Sequence, residues 1–209
     1  MHRLNPRLLL PLLLLAGILA SCEEVQEAGE YDNWQARNTA FIDSLNRIST
    51  TIVATEEDAR MVQPGQMFRI LDDYTSTSTT NRYIYCRKLT ANDEGKRPMA
   101  TSTISNFMYG TLINGEEFYG NFTGYSALDQ NIPLPPPESS WPTAFDSPDE
   151  SRMSAFISGV FWPLQYMREG ERWMIYIPWD SAYGSSGSGT SVPGYSMLTY
   201  DVILEEVKD

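Results

Sequence analysis

The chain has 209 residues, with 15 Lys and Arg against 27 Asp and Glu, and a formal net charge of −12. So acidic a surface repels phosphate backbones, which argues against nucleic acid as a partner. His2, the only histidine, lies in an N-terminal stretch expected to be removed, and Cys22 and Cys86 are the only cysteines, so neither a Ser-His-Asp triad nor a histidine-ligated zinc site is expected, nor any cofactor or metal.

At the start, Arg3 and Arg7 flank the beginning of an apolar run, Leu8 to Ile18, that is too short to cross a bilayer comfortably. Leu19-Ala20-Ser21-Cys22 follows and reads as a bacterial lipobox, in which small residues admit a signal peptidase and the cysteine thiol takes the lipid. An ordinary signal peptide before a chance cysteine is the alternative. A spanning helix is disfavoured, because Cys22-Glu23-Glu24 ends the run abruptly. Residues 1–21 are therefore expected to leave, His2 with them, and the rest to stay lipid-anchored in the bacterial cell envelope. The anchor leaves open the membrane face, whether outer membrane, periplasmic or surface-exposed. Cys86, in Tyr83-Ile84-Tyr85-Cys86, then lacks a disulfide partner and is read as a half-buried strand residue rather than a reactive thiol.

Glu23 to Tyr31 is a polar, acidic tether. Asp32 or Asn33 is placed to cap a helix carrying Trp34, Phe41, Leu45 and Ile48 on one stripe, with Ile42 beside it. Packing onto the following domain is the plain reading of that stripe and dimerisation the sharper one; the oligomeric state stays open. Thr55 to Met61 suggests another helical turn, ended by Gln63-Pro64-Gly65-Gln66. From Met67 the pattern becomes strand-like. Thr75 to Thr80 reads as a loop, while Arg82 to Leu89 and Thr101 to Leu112 are β-rich. Asn114-Gly115 tolerates positive φ at both positions and predicts a tight hairpin leading into Phe118.

Asn131 to Pro148 is proline-rich and reads as an exposed loop between strands, with a polyproline ligand segment as the alternative. A short helix is expected from about Phe161, with Pro163 in its first turn and Gly170 past its end. Trp173, Ile175 and Ile177 alternate with Met174 and Tyr176, as in a strand with one buried face. Leu198, Tyr200, Val202 and Leu204 repeat that pattern. Strands, one late helix and strands again suggest an α+β domain with an antiparallel sheet.

Within that last region, Leu164 to Trp173, then Ile175-Tyr176-Ile177-Pro178 and Asp180-Ser181-Ala182-Tyr183-Gly184, then Val192-Pro193 and Leu198-Thr199-Tyr200-Asp201-Val202 resemble in order the helix, the "IPxxxAYG" signature and the "LxFDVEL" ending of FKBP-type peptidyl-prolyl cis-trans isomerases. Gly110-Thr111-Leu112 with Asn114-Gly115 and Phe118 is similar to that family's "GxLxDGxxFD". The resemblance implies an antiparallel β-sheet wrapped around one short helix over residues 79–209. Residues 22–78 would then be a tether and N-terminal helical extension, and residues 1–21 the signal peptide.

The same resemblance implies an activity: rotation of Xaa-Pro amides in proline-containing clients, assisting the folding of exported proteins. By motif position, Tyr183 would offer a hydroxyl to the substrate carbonyl, Phe118 would form a wall, and Ile157 would supply a backbone N–H. Phe156 would be a rim and Val192 part of a loop lining. Tyr200 stands at the family's aromatic position on the last strand. Three positions depart from the pattern. Val160 stands where a tryptophan floors the pocket, Tyr119 where an aspartate follows the wall phenylalanine, and Met108 where a tyrosine is usual. Those departures keep open a second function, a catalytically weak or inactive module that grips proline-containing or extended segments. A glycan-binding lipoprotein is a third reading, disfavoured because the aromatics mostly alternate inward. Phe145-Asp146-Ser147 resembles the family's "FDS" and could return an aspartate from the inserted loop. Gly184 to Thr190 lacks the lysine of a phosphate-binding loop and reads as a flexible rim.

The anchor has its own test. Cys22→Ser is expected to yield protein that takes up no labelled fatty acid and escapes normal processing; label retained on the variant would overturn the lipoprotein reading.

Overall fold

The computed structural model describes residues 29–208. The apolar leader, the lipobox with Cys22 and most of the acidic tether lie outside those residues. Gly29 to Asp32 forms a turn of its own, closed by the Asp32 N–H on the Gly29 carbonyl at 3.0 Å. A compact unit begins at Asn33 and runs to the C-terminus.

Helix α1, Trp34–Ile48, starts after Asn33, which takes a left-handed conformation (φ 53°) and makes no side-chain cap. Trp34 and Leu45 are buried in the core as expected, but Ile48 is 59% exposed at the helix end. The stripe therefore docks through its first three turns. Asn38, also buried, accepts the Met197 N–H at 2.7 Å, and the Trp34 indole donates to Ser196 Oγ at 2.9 Å. These contacts favour the plain reading of the stripe, packing on the domain itself.

Strand β1, Thr51–Val53, pairs in parallel with β2, Met67–Leu71. Helix α2, Glu56–Met61, bridges them and opens with a capping box between Thr55 and Asp58. β2 continues antiparallel into β3, Tyr83–Thr90, and β3 into β7, Arg172–Ile177. β7 then pairs with β8, Leu198–Lys208, and β8 with β4, Thr103–Thr111. The sheet thus runs β1-β2-β3-β7-β8-β4 before reaching its last edge. It crosses the sequence-derived boundary at residues 78–79, because two strands of the extension add to it. Lys88 on β3 seals the join: its ammonium, buried, donates to the Ala59 carbonyl of α2 at 2.7 Å and lies 3.3 Å from Glu171.

The far edge of β4 is occupied by two short strands, β5 (Glu117–Gly120) along residues 109–111 and β6 (Asp149–Arg152) along residues 103–106. They are one edge strand interrupted by the 121–148 insertion. Asn121 fills the break: its side chain accepts the Met108 N–H at 2.8 Å and donates to the Asn106 carbonyl at 3.1 Å. The hairpin before β5 has a positive φ at Gly115 but not at Asn114. The Gly115 N–H bonds the Leu112 carbonyl, and Leu112 pairs with Glu116, so the loop holds three residues rather than two.

Helix α3 spans Ser158–Tyr166, starting three residues earlier than the proline suggested, with Pro163 inside it. All six residues of β7 are buried, not the one face that alternation implied. α3 covers one face of the sheet. The other is covered by α1, whose Phe41 ring lies 6.4 Å from that of Tyr176, and by the insertion. Cys86 is likewise fully buried rather than half-buried, and burial pushes its thiol well up, away from reactivity. Among the described residues no helix is long and apolar enough to cross a membrane.

On the insertion-covered face, Arg172 and Asp201 pair fully buried, at 2.9 and 2.5 Å. The guanidinium lies 4.8 Å from the Tyr125 ring centre, 5.3 Å from Trp141 and 5.7 Å from Phe122. Removing one partner strands the other charge. Asp201→Ala is therefore expected to cost about 3–5 kcal/mol, and the double change Arg172→Met, Asp201→Leu to restore most of it. Urea unfolding measures both; an Asp201→Ala midpoint equal to wild type would refute the assignment.

Candidate active site

On the α3 side of the sheet, Gly110 of β4 lies opposite Tyr200 of β8. A Cβ on Gly110 would fall 2.8 Å from Tyr200 Cε1 and 2.9 Å from Phe118 Cζ. The missing side chain lets those two rings meet edge to face, 5.3 Å between centroids at 84°. Tyr119, after a register shift between β4 and β5, brings its ring to 6.4 Å from Tyr200. Its hydroxyl donates to the Asp149 carboxylate of β6. Partial burial first, then that bond, push the Tyr119 phenol up to about 12.

Tyr183 follows a 3-10 turn, Trp179–Ser181, and is held where the Gly184 N–H bonds the Trp179 carbonyl at 2.8 Å. It is partly exposed, and its hydroxyl has no hydrogen-bond partner among the described residues. Burial, and after it the neighbouring Tyr183 and Tyr119, raise the phenol of Tyr200 far above its ordinary value. Tyr200 is therefore neutral at any working pH. Met108 is buried on β4, two residues before Gly110 on the same face.

The start of α3 supplies the other side. Ile157, extended at φ −60° and ψ 155°, caps it with its carbonyl, which accepts from Val160 and Phe161. Its own N–H has no hydrogen bond among the described residues. Gly159 approaches β7 so closely that a Cβ would sit 2.1 Å from Ile177 Cγ2, and Val160 beside it is buried. The helix start is tied down by Asp72, a fully buried residue of the β2–β3 connection that sequence reasoning missed. Its carboxyl oxygens accept from Ser158 Oγ at 2.9 Å, the Trp162 indole at 3.1 Å and Thr75 Oγ1 at 2.8 Å. The available signal was local: an aspartate just after a strand, three residues before a threonine, is a turn-forming pattern.

Val192 is buried, and the segment expected to be a flexible rim closes on itself. Ser188 and Val192 exchange both backbone bonds, and the Tyr195 N–H reaches the Gly184 carbonyl at 3.0 Å. Gly187, with φ 71°, passes where a Cβ would lie 2.1 Å from the Val192 carbonyl oxygen. The end of this loop is the segment that Trp34 and Asn38 of α1 hold. Phe156 is partly buried and lines a recess of about 360 Å3 with Tyr74, Ser158 and Phe161. The inserted loop does not bring Phe145-Asp146 to the site. Phe145 is 99% exposed, and Asp146 turns back to accept from Thr143 N and Oγ1. The carboxylate that does arrive is Asp149. Among the described residues, no group of three or more His, Cys, Asp or Glu is arranged to hold a metal ion.

Residues 142–205 match the family described as FKBP-type peptidyl-prolyl cis-trans isomerase. The macrophage infectivity potentiator of Trypanosoma cruzi is 45% identical over 73 residues, which make up 32% of this chain and 37% of that protein. The FKBP-type 22 kDa peptidyl-prolyl cis-trans isomerase of Escherichia coli K12 is 37% identical over 71 residues, 31% of this chain and 34% of the relative. The chain thus spans about a third of the length of these curated relatives. The crystal structure of a peptidyl-prolyl cis-trans isomerase from Pseudomonas syringae pv. tomato shares the fold, with a TM-score of 0.52 at 19% identity over 87% of this chain and 98% of the other. Gly110, Phe118 and Tyr119 lie before the matched stretch; only the fold brings them to Tyr200. Residues 142–205 carry the pattern of the FKBP-type peptidyl-prolyl cis-trans isomerase family, on an FKBP-like α+β fold.

Proposed function

We propose that the protein is a peptidyl-prolyl cis-trans isomerase whose site is the aromatic group of Tyr183, Phe118 and Tyr200, closed by Ile157, Val160 and Val192. The carrying observation is the edge-to-face contact of Phe118 with Tyr200 over Gly110; the Tyr183 hydroxyl, free of hydrogen bonds among the described residues, is assigned to the site by its motif position. Rotating an Xaa-Pro amide means passing a barrier of about 18–20 kcal/mol set by amide resonance. No nucleophile or proton transfer is required, which suits a chain with one histidine, in the leader. The twisted amide has lost its charge-separated resonance form, so an apolar, aromatic-walled site favours it over the planar ground state. The Ile157 N–H and the Tyr183 hydroxyl would hold the flanking carbonyls while the bond turns. The clients are proline-containing segments of exported proteins, and Cys22 would carry the lipid that keeps the domain at the cell envelope.

A second reading is favoured by one specific observation. Tyr119 occupies the position of an aspartate and has its hydroxyl engaged by Asp149, while Val160 leaves the floor without a flat ring. Such a site could grip a proline segment without turning it.

Protease-coupled isomerisation of a short Xaa-Pro peptide decides between the two. Tyr183→Phe is expected to lower kcat/KM by roughly ten- to a hundredfold, the loss of about 1–3 kcal/mol from one hydrogen bond. Phe118→Ala is expected to cost at least as much, and Val160→Trp or Tyr119→Asp to raise the rate of an impaired wild type. A wild type that binds peptide but stays inactive, with both of the latter changes also inactive, establishes the binding module. A fully active Tyr183→Phe enzyme shows the site to be placed wrongly.

A further inference from the structure

The face of the sheet opposite Tyr200 carries α1 and the inserted loop. Between them lies a cavity of about 570 Å3, within the roughly 300–1,000 Å3 range of small-molecule sites. Phe41 and Leu45 from α1, Met67 from β2 and Ala127 from the insertion give it an apolar side, alongside polar residues that include Ser44, Gln130 and Asn131. Its polar lining includes two donors. Tyr176 is only 8% exposed, yet its hydroxyl has no hydrogen bond among the described residues. Arg87, on the neighbouring strand β3, has a buried Nε without a partner, while its Nη1 donates to the Gln130 carbonyl at 3.1 Å.

Buried donors are ordinarily satisfied, and the Arg87 Nε left over marks a place for an acceptor. Here a cation and a neutral phenol border the same cavity, and burial raises the phenol to about 12, so it remains a donor. The charge on Arg87 is felt at Tyr176, as is the opposing charge of Asp129. Asp129 also lines the cavity, but its Oδ2 is taken by the Ser126 N–H at 2.7 Å and Ser126 Oγ at 2.8 Å. We propose that this cavity binds an amphiphilic carboxylate, with the head group on Arg87 and Tyr176 and the apolar chain against Phe41, Leu45 and Met67. A planar carboxylate matches the guanidinium fork better than a cationic or neutral head group does. The site does not depend on the isomerase reading, since it lies on the other face of the sheet.

The test is calorimetric titration of the full-length protein with dodecanoate below its micellar concentration, with dodecyltrimethylammonium as the comparator of opposite charge. Saturable one-to-one binding of dodecanoate is expected, at least tenfold tighter than that of the cation. Tyr176→Phe and Arg87→Met should each weaken it about tenfold or more, and Ser44→Leu, which fills the cavity from its α1 wall, should abolish it. Thermal melting by circular dichroism checks that each variant folds. Tyr176→Phe keeps the ring and its packing, so its result stands even where Arg87→Met unfolds. No saturable binding, equal binding of both amphiphiles, or a Tyr176→Phe protein that binds as the wild type does would each overturn the proposal.

Discussion

Arg172 and Asp201 stand on adjacent central strands, with no measurable exposure of either side chain. Two charges so placed survive only because each has the other and because the space around them is filled. Asp201 takes both the guanidinium and the Tyr125 N–H. Phe122, Tyr125 and Trp141 close around the guanidinium, and Ser140 accepts from it at 3.2 Å. All of those covering residues belong to the 121–148 insertion. The pair therefore fixes where the insertion lies, and the insertion makes the central strands interior on both faces.

That arrangement has a consequence at the site. The insertion leaves the edge strand at Gly120 and rejoins it at Asp149, so the two halves of the strand need not share one register. β5 shifts against β4 between Gly110 and Thr111, and the shift brings both Phe118 and Tyr119 toward Tyr200. Asp149, first residue of the resumed strand, then reaches the Tyr119 hydroxyl. Helix α1 acts at the opposite end, where Trp34 and Asn38 hold the segment that leads from Val192 into β8. The site is thus built by the sheet and finished by the two additions to it. This gives the N-terminal helix a positioning role that does not require a second copy of the chain.

Much of this was legible in the sequence, and the failures have physical causes. Alternation located β7 and β8, but it could not say that both faces are covered, because the cover comes from a helix and a loop distant in sequence. Met174 and Tyr176 fit an exposed face and a buried one equally well. Pro163 marked the α3 region but set its start three residues late; a proline's missing N–H is tolerated at the sixth position of a nine-residue helix. Asn114-Gly115 suggested a two-residue turn, and the register shift at Thr111 adds a third residue instead. The ring group at the site followed from motif position. Asp72 did not, since its five donors come both from its own turn and from α3, distant in sequence. The Phe145-Asp146-Ser147 motif misled, because Asp146 is satisfied inside its own turn.

The hydroxyl on Tyr200 bears on how such a site can act. A phenylalanine at this place would present only an edge and a face, whereas the buried phenol adds a donor that finds no partner among the described residues. Where a donor points decides its effect on an amide. Bonded to the carbonyl oxygen, it strengthens the charge-separated resonance form and so holds the planar ground state. Bonded to the proline nitrogen, it stabilises the lone pair that appears only when the amide twists, which is the differential binding that lowers the barrier. On the proposed function, a site that grips and a site that turns would share every aromatic wall and differ in which client atom this hydroxyl meets. Phe118 bears on that geometry: its ring meets the Tyr200 ring at 84°, in space that a side chain on Gly110 would fill.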